Sequence, residues 1–374
     1  MSLEELPTPC ALVDEVAVLS NTEGMAKRVE RLGARLRPHV KTHKTFEGGR
    51  LQVRGHFGGI TVSTLAEARA FAAAGFRDVT YAVPIPPQRL AEAAEIARGL
   101  DRLTLLVDGP AAATALEARS REEGRRTPVL LEVDCGGRRS GVDPERPESA
   151  ALGLRLFRSR HLDFRGILTH AGQSYACRNP EEIRRVAAEE RDVMVAFAER
   201  LRAAGADVPE VSIGSTPTVG LVESLEGITE VRPGNYVFYD AFQAAIGSCA
   251  QEQIAFNVLA TVIASHPDAG RLVLDAGALA LSQDPGPRHV DPACGFGLIR
   301  RLDGTPLPEL RLVGLSQEHG TVRASAGYPV GSLPVGTRLR IVPNHSCLAA
   351  ACFERYHVVR DREVVGEWRP VRGW

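Results

Sequence analysis

Lysine is scarce in this chain, and two of its copies lie only three positions apart. The chain has 45 Lys and Arg residues together, but lysine occurs only at Lys27, Lys41 and Lys44. Arginine, which stays protonated in proteins, therefore supplies nearly all of the positive charge. A lysine amine can lose its proton when it is buried or beside other cations, and it can then attack a carbonyl. Lys41 or Lys44, close to His39 and His43, is the predicted nucleophile, whereas Lys27 fits a solvated surface.

A second pair of residues, His345 and Cys347, has the types and spacing of metal ligands. We predict that they lie on an extended segment, where residues two apart face the same side, so that an imidazole and a thiolate could bind one ion. An isolated His-x-Cys is more often structural, so other observations must support the site. The segment 317–320 either orients such ligands or forms a polar turn between strands.

The elements that must position these residues follow an alternating pattern. A capping box from Thr64 to Glu67 begins one predicted helix, and Asn179 and Pro180 begin another that ends near Gly205. Eight strands that alternate with helices predict a parallel (β/α)8 barrel. A doubly wound open sheet has the same alternation, although an early Gly-x-Gly-x-x-Gly turn is missing. The predicted barrel strands are 34–40, 59–62, 79–83, 103–107, 129–133, 164–168, 208–213 and 229–237.

After residue 245 the pattern changes to strands joined by Gly, Pro and Asp turns, with little helix. We therefore expect an N-terminal segment, residues 1–20, that packs with a β-rich domain. We expect the barrel to span residues 21–245 and the β-rich domain to span residues 246–374. The predicted strands of that domain are 254–265, 271–275, 310–314, 338–342 and 363–367.

Polar residues at the C-terminal ends of barrel strands usually line the active site. Lys41 follows the first predicted strand, Arg138 and Arg139 follow the fifth, and His170 follows the sixth. In such barrels the loops after strands 7 and 8 commonly bind a phosphate through N–H groups and hydroxyls. Segments 214–218 and 232–235 supply those groups here. Together with a lysine on strand 1, they predict pyridoxal phosphate, whose aldehyde needs an amine.

Motifs along nearly the whole chain resemble the fold-type III pyridoxal phosphate enzymes, which have an alanine-racemase-like barrel. Within that group the chain is similar to the D-serine dehydratase and D-threonine aldolase family, and most of all to its D-threo-3-hydroxyaspartate dehydratases. The resemblance extends from Thr8 to Trp374. The motifs that carry it are segments 37–44, 59–64, 132–134, 139–142, 169–172 and 214–216.

The resemblance implies roles for residues of the barrel. Lys41, rather than Lys44, is implied as the Schiff-base lysine. Arg139 is similar to the family arginine that lies against the phenolic oxygen of the cofactor, and Tyr175 matches a tyrosine that contacts the cofactor. Arg138, Gln173 and Tyr239 are candidates for binding a substrate carboxylate. The remaining predicted cofactor-binding residues are His170 and the matches to phosphate-binding positions, Ser215, Thr216, Gly234 and Asn235.

In the β-rich domain, His345 and Cys347 stand at the position of the family's metal pair. Sulfur and imidazole favour zinc, although another divalent ion such as Mn²⁺, Co²⁺ or Mg²⁺ would also fit the family. The aldolases carry His-x-Asp there, so Cys347 favours a dehydratase. We therefore predict a lyase that converts a D-3-hydroxy amino acid, such as D-serine or D-threo-3-hydroxyaspartate, to a 2-oxo acid and ammonia. The alternatives are a D-threonine aldolase, which gives glycine and an aldehyde, and, more distantly, a non-catalytic pyridoxal phosphate-binding protein.

Composition excludes several other classes. The formal net charge of -1 provides no field for nucleic acid or an anionic membrane. No apolar run approaches the roughly 20 residues of a membrane span. The N-terminus lacks the pattern of a signal peptide, and the seven cysteines fit reduced thiols, so we expect a cytoplasmic protein. The resemblance further implies a homodimer.

Overall fold

The computed structural model describes all 374 residues, and the chain divides into two compact units. The barrel unit comprises residues 24–234 and 371–374, and the β-rich unit comprises residues 1–23 and 235–370. No helix is both long and apolar enough to cross a membrane. The strands β1 to β17 are Cys10–Asp14, Arg35–Leu36, Ile60–Val62, Asp78–Pro84, Arg102–Val107, Thr127–Glu132, Leu162–Leu168, Glu210–Ile213, Glu230–Val231, Phe256–His266, Arg271–Leu274, Gly297–Arg301, Leu310–Leu315, Gly320–Ala324, Arg338–Pro343, Tyr356–Arg360 and Glu363–Trp368.

Helices follow most strands of the barrel unit and are few in the β-rich unit. The helices α1 to α11 are Glu15–Arg31, Phe46–Val53, Leu65–Ala73, Leu90–Ala97, Pro110–Glu122, Pro147–Arg158, Pro180–Ala203, Thr216–Leu221, Ala241–Ala245, Ala278–Leu281 and Ser346–Ala351.

The barrel unit is built on eight parallel strands in the order β2-β9-β8-β7-β6-β5-β4-β3. A parallel bridge between His39 and Thr61 joins the segment after β2 to β3, and the Thr61 N–H donates to the Pro38 carbonyl at 2.9 Å. This bridge closes the curled sheet, and helices α2 to α8 connect successive strands. The predicted (β/α)8 barrel is therefore confirmed, and the doubly wound alternative is wrong.

The first and last barrel strands are shorter than predicted, because β2 and β9 each have only two residues. Pro38 and Pro233 follow these strands, and proline has no N–H to continue a ladder. Main-chain hydrogen bonds nevertheless persist past both strands: the Arg37 N–H donates to Val231 and the His39 N–H to Pro233. The two segments thus stay side by side as they leave the sheet.

Ion pairs fill the N-terminal end of the barrel. The fully buried Arg37 guanidinium lies 2.7 Å from Glu230 and 2.7 Å from Asp78, and Arg102 lies 2.6 Å from Glu210. Asp78, Arg102, Glu210 and Glu230 are each the first residue of a strand. Buried ion pairs of this kind specify one arrangement of the chain more than they increase its stability. Because they occupy the N-terminal end of the barrel, the C-terminal ends of the strands are the expected place for chemistry.

Two predicted helix starts are present as expected. The Thr64 hydroxyl accepts a hydrogen bond from the Glu67 N–H at 3.0 Å at the start of α3. The Asn179 side chain accepts one from the Glu182 N–H at 3.0 Å at the start of α7. Helix α7 ends at Ala203, just before Gly205 with a φ of 92°. These short-range signals are therefore confirmed.

The β-rich unit is a nine-stranded, mostly antiparallel sheet that includes the N-terminal strand β1, which pairs with β10 and β16. The predicted C-terminal strands correspond to β10, β11, β13, β15 and β17. Strands β12, β14 and β16 were not predicted, because each has only five residues with charged side chains among them. Leu3, Leu6, Leu12, Leu259 and Val359 form a buried cluster against the sheet.

Candidate active site

Lys41 lies in a single 3-10 turn, Val40–Thr42, directly after β2. Its side chain is half-buried, and its backbone N–H is 3.4 Å from the Nδ1 of His39. Burial and then the charge of Lys41 lower the pKa of His39 and of His170. The Lys41 amine is therefore close enough to act electrostatically on two buried imidazoles.

Lys44 has a different environment from Lys41. Its Nζ lies 2.8 Å from Oε1 of Glu67, a carboxylate that is only 1% exposed. The same carboxylate accepts a 2.8 Å hydrogen bond from the Ser63 N–H, so it is held firmly at the start of α3. The Lys44 ammonium is therefore engaged with Glu67, as expected for a loop charge rather than for a Schiff-base lysine.

His170 stands at the end of β7 with its Nδ1 3.2 Å from the Gly214 carbonyl oxygen. Burial and the charges of Lys41 and Arg139 lower the pKa of His170 to about 3. The imidazole is therefore neutral near pH 7, and Nδ1–H can donate to the carbonyl while Nε2 remains an acceptor.

The loop after β8 is tightly organised around Ser215. The Ser215 hydroxyl accepts from the Thr218 N–H at 3.3 Å and lies 3.0 Å from the Ser174 hydroxyl. The Ser215 N–H donates to the Thr218 hydroxyl at 3.0 Å, which completes a capping box at the start of α8. Thr216 is the buried first residue of that helix. These bonds fix the segment that the sequence predicts to bind phosphate.

Gly234 follows β9 where two segments of the barrel unit come very close. A Cβ at this position would lie 2.9 Å from both the Cβ and the carbonyl oxygen of His39. Any larger residue would push apart the segments that follow β2 and β9. Glycine is therefore required for this approach, independently of any phosphate.

The charges at the C-terminal ends of the barrel strands suit an anionic ligand. The buried Arg232 guanidinium donates to the Ser212 hydroxyl at 2.7 Å and to the carbonyl oxygens of Ile213 and Thr169, all neutral acceptors. Burial lowers its pKa to about 10, so it remains a cation. Besides burial, Lys41, Arg139 and Arg232 all act to lower the pKa of His170. These cations suit an anionic cofactor that carries an aldehyde and a phosphate.

The loop after β6 carries Arg138, one of the three candidates for binding a substrate carboxylate. Oδ1 of Asp134 accepts hydrogen bonds from the Gly136 N–H at 2.8 Å and the Arg138 N–H at 3.0 Å. Arg138 is exposed and has a φ of 50°, in the left-handed region that is unfavourable for most residues. The side chain of Gln173 ties this loop to the next one by donating to the Cys135 carbonyl at 3.0 Å. Gln173 belongs to the turn Gly172–Ala176, which also contains Tyr175, the tyrosine predicted to contact the cofactor.

His345 and Cys347 lie in the β-rich unit, but not on an extended segment. Strand β15 ends at Pro343, and α11 begins at Ser346, so the prediction of extended geometry is wrong. The reason is Asp240, whose Oδ2 accepts from the Ser346 N–H at 3.0 Å and from its hydroxyl at 3.2 Å. This carboxylate holds the start of the helix and turns the chain.

The surroundings of His345 suit a cation. Its Nδ1 lies 3.5 Å from Oδ2 of Asp284. Burial alone would lower the pKa of His345, but the Cys347 sulfur and Asp284 raise it well above its usual value. No three His, Cys, Asp or Glu side chains are arranged to hold a metal ion. His345 and Cys347 supply an imidazole and a sulfur, and this donor pair suits a divalent ion that keeps further positions for water or substrate.

Asn235 belongs to the same network. Its Nδ2 donates to Asp240 and to the Ser346 hydroxyl, each at 2.9 Å, and lies 3.6 Å from the Cys347 sulfur. Its side-chain amide is thus committed to the turn that carries His345 and Cys347. Asp240 and Asp284 were missed in the sequence, because neither belongs to a motif. Residues 317–319 form an exposed turn between β13 and β14, which agrees with the interpretation of this segment as a polar turn.

The barrel and the separate β-rich sheet define a class of protein that the family comparisons identify. A model described as the alanine racemase N-terminal domain matches residues 13–241, and one described as a putative serine dehydratase domain matches residues 255–359. The chain belongs to this two-domain family. It is 42% identical to a D-threo-3-hydroxyaspartate dehydratase of Delftia sp. (strain HT23), over 100% of this chain and 99% of the relative.

Other relatives agree with this assignment. A D-serine dehydratase of Dictyostelium discoideum is 35% identical over 100% of this chain and 98% of its own length. A D-threonine aldolase of Arthrobacter sp is more distant, with 29% identity over 98% of this chain and 92% of its own. Among solved structures, a cysteine-to-alanine mutant of D-threo-3-hydroxyaspartate dehydratase in the metal-free form has a TM-score of 0.95 and 40% identity, with each chain covered completely.

Proposed function

We propose that this protein is a pyridoxal phosphate- and metal-dependent lyase that eliminates water from a D-3-hydroxy amino acid, whose product then takes up water and releases ammonia. The observation that carries the proposal is the presence of two sites of opposite electrostatic character. Lys41 stands among cations and neutral imidazoles, whereas His345 and Cys347 stand among carboxylates. The dehydratases among the relatives support D-threo-3-hydroxyaspartate or D-serine as the substrate.

The residues that would hold the cofactor come from the ends of five barrel strands. When bound, pyridoxal phosphate supplies an aldehyde that condenses with amines and a ring that accepts the electron pair left on Cα. Arg232 lies among buried carboxylates, whereas Lys41 and Arg139 add positive charge near His170 that favours a phosphate. The proposed set is Lys41, Arg139, His170, Tyr175, Ser215, Thr216, Gly234 and Asn235.

Lys41 is the proposed catalytic residue. Its Nζ would provide the amine that holds the cofactor, and as a free amine it would be the base that removes the Cα proton. Nearby, the neutral His170 ring can hold a hydrogen bond through Nε2, because its Nδ1 faces Gly214.

His345 and Cys347 would hold the metal, and zinc suits their imidazole and sulfur donors. When bound, such an ion supplies a Lewis acid that stabilises the negative charge on a departing hydroxyl. Asp284 would orient His345, and Asp240 holds the turn between the two ligands. The product that remains after loss of water would then hydrolyse to a 2-oxo acid and ammonia.

The assembly and location follow from the sequence rather than from the site. We propose a homodimer in the cytoplasm, supported by the family resemblance and by the composition. Sedimentation of the purified protein tests the first statement, and fractionation of cells tests the second.

The central experiment adds pyridoxal phosphate to the purified protein and records its visible absorption band. D-threo-3-hydroxyaspartate, D-serine and D-threonine are then supplied with and without a chelator. We expect a 2-oxo acid and ammonia from one of the first two substrates, and a loss of turnover with the chelator. Glycine from D-threonine as the main product would instead indicate an aldolase, and a protein that binds no cofactor would contradict the proposal at its first step.

A further inference from the structure

A buried glutamate on α7 joins two loops at the C-terminal end of the barrel. Glu190 is fully buried, and its Oε1 accepts hydrogen bonds from the Ala171 N–H at 3.1 Å and the Gly214 N–H at 3.0 Å. Ala171 directly follows His170, and Gly214 directly precedes Ser215. A single carboxylate oxygen therefore connects the loop after β7 to the loop after β8.

Two other contacts join the same loops. Nδ1 of His170 lies 3.2 Å from the Gly214 carbonyl, and the hydroxyls of Ser174 and Ser215 lie 3.0 Å apart. The loops thus form one hydrogen-bonded assembly that contains both the imidazole and the phosphate-binding segment. Glu190 connects this assembly to a helix of 24 residues, which gives it a rigid support.

The position of Glu190 on α7 is unusual for a carboxylate. The buried stripe of this helix is otherwise apolar and includes Ile183, Ala187, Met194 and Phe197. Burial raises the pKa of Glu190, and the Gly214 N–H, Thr218 and Arg232 act in the opposite direction. Such a group is costly to bury, whereas two buried N–H groups without an acceptor would also cost free energy. An acceptor for these two amides is therefore the reason for a glutamate here.

We propose that Glu190 is a positioning residue, which holds His170 and the Ser215–Thr216 segment in the relative arrangement that the cofactor's ring and phosphate require. This inference rests on the proposed function, because it concerns the same cofactor. It adds a residue that touches neither cofactor nor substrate and acts through the main chain of both loops.

The test compares three variants of the full-length, cofactor-free protein. Glu190→Met keeps the length of the side chain and removes the acceptor, whereas Glu190→Gln keeps an acceptor oxygen. Glu189→Met makes the same change at the exposed neighbouring position of the helix and serves as the matched control. The dissociation constants of pyridoxal phosphate and of pyridoxal, which lacks the phosphate, are measured for each variant by absorption titration.

We expect Glu190→Met to weaken pyridoxal phosphate binding about tenfold or more, because two buried N–H groups lose their acceptor. Its preference for pyridoxal phosphate over pyridoxal should fall as well, since the phosphate-binding segment is displaced. General destabilisation would weaken both ligands alike and leave this ratio unchanged. For Glu190→Gln and Glu189→Met, the dissociation constant of pyridoxal phosphate should lie within about threefold of the wild-type value, because each variant keeps an acceptor oxygen at position 190.

Two results would overturn the inference: a folded Glu190→Met protein with wild-type affinity and ratio, or a Glu190→Gln protein as impaired as Glu190→Met. If Glu190→Met does not fold, hydrogen exchange of the wild type decides. The amides of Ala171 and Gly214 must exchange slowly without cofactor, and rapid exchange would contradict the bridge. Failure of the wild type to bind pyridoxal phosphate would instead count against the proposed function.

Discussion

The barrel unit and the β-rich unit surround a candidate site histidine with opposite charges. In the barrel unit, His170 has Lys41 and Arg139 nearby, and burial together with these charges lowers its pKa to about 3. In the β-rich unit, burial opposes protonation of His345 too, but Cys347 and Asp284 raise its pKa well above the usual value. The residue type is the same, and the neighbouring charges decide its protonation.

This difference supports a different proposed ligand for each unit. A neutral imidazole among cations marks a place where the protein has an excess of positive charge, so an anion is favoured there. An imidazole that attracts a proton beside a thiol and a carboxylate marks a place where a metal ion can replace that proton. These charges agree with the proposal of a phosphate-bearing cofactor in the barrel unit and a divalent cation in the β-rich unit.

The strongest way to break the comparison is to remove the amine of the barrel unit. Lys41→Ala should lower turnover about 10⁴-fold, because it removes both the cofactor-holding amine and the proposed base. Lys44→Arg is the matched control, since arginine can keep the ion pair with Glu67. Steady-state rates of 2-oxo acid formation check the prediction. Equal losses in the two variants would show that Lys41 has no special role.

The corresponding change in the β-rich unit is Cys347→Ala. We expect bound metal to fall and turnover to drop about 10³-fold, because Lewis-acid stabilisation of the leaving group contributes several kcal/mol. Pyridoxal phosphate affinity should stay close to that of the wild type, which separates the two sites. Metal analysis and cofactor titration check this result. Unchanged turnover at full metal depletion would refute the role of Cys347.

A third prediction concerns the stability of the barrel unit in acid. His43 accepts a 2.9 Å hydrogen bond from the Thr45 N–H at Nδ1, and its Nε2 lies 2.8 Å from the Gln52 amide oxygen. Burial lowers its pKa to about 4, although Gln52 and Glu67 act in the opposite direction. Protonation would place a hydrogen on Nδ1, so that two donors, the ring N–H of His43 and the Thr45 N–H, would face each other. The folded state therefore resists protonation of His43.

Because the unfolded chain takes up this proton near pH 6.5 and the folded chain only near pH 4, acidification between these values should favour unfolding. The expected loss is on the order of 3 kcal/mol in the free energy of unfolding. Denaturant unfolding of the cofactor-free protein at several pH values measures it. His43→Gln should show a shallower decline, and parallel curves for the two proteins would exclude this histidine as the cause.

The smallest predicted effect concerns substrate selection by the cations of the barrel unit. Arg138→Asn should keep the backbone, since asparagine tolerates a positive φ, and should remove the charge. We expect the KM for D-threo-3-hydroxyaspartate to rise about tenfold, which is the effect of losing a charged hydrogen bond to its second carboxylate. The KM for D-serine, which lacks that carboxylate, is the internal control. Equal changes for both substrates would argue against a role in selectivity.

Much of the barrel was predictable because its signals are local. Strand and helix periodicity, the Thr64 and Asn179 caps and the position of Lys41 after the first strand all depend on residues that are close in sequence. The short strands β12, β14 and β16 could not be predicted, because their pairing partners supply most of their stability. The adjacency of His345 and Cys347 was visible in the sequence, but the helix start between them depends on Asp240, more than 100 residues away.

The sequence by itself determined which chemical groups this protein has: a rare amine, a His-x-Cys pair and the alternating elements that carry them. Only the tertiary structure decided which of these groups have counter-charges. Lys44 meets Glu67, Arg37 meets Glu230, and the buried Arg232 has Glu230, Glu190 and Glu132 within electrostatic reach. The reason is physical, because electrostatic energy depends on distance through space and on burial, and neither can be read from the order of residues along the chain.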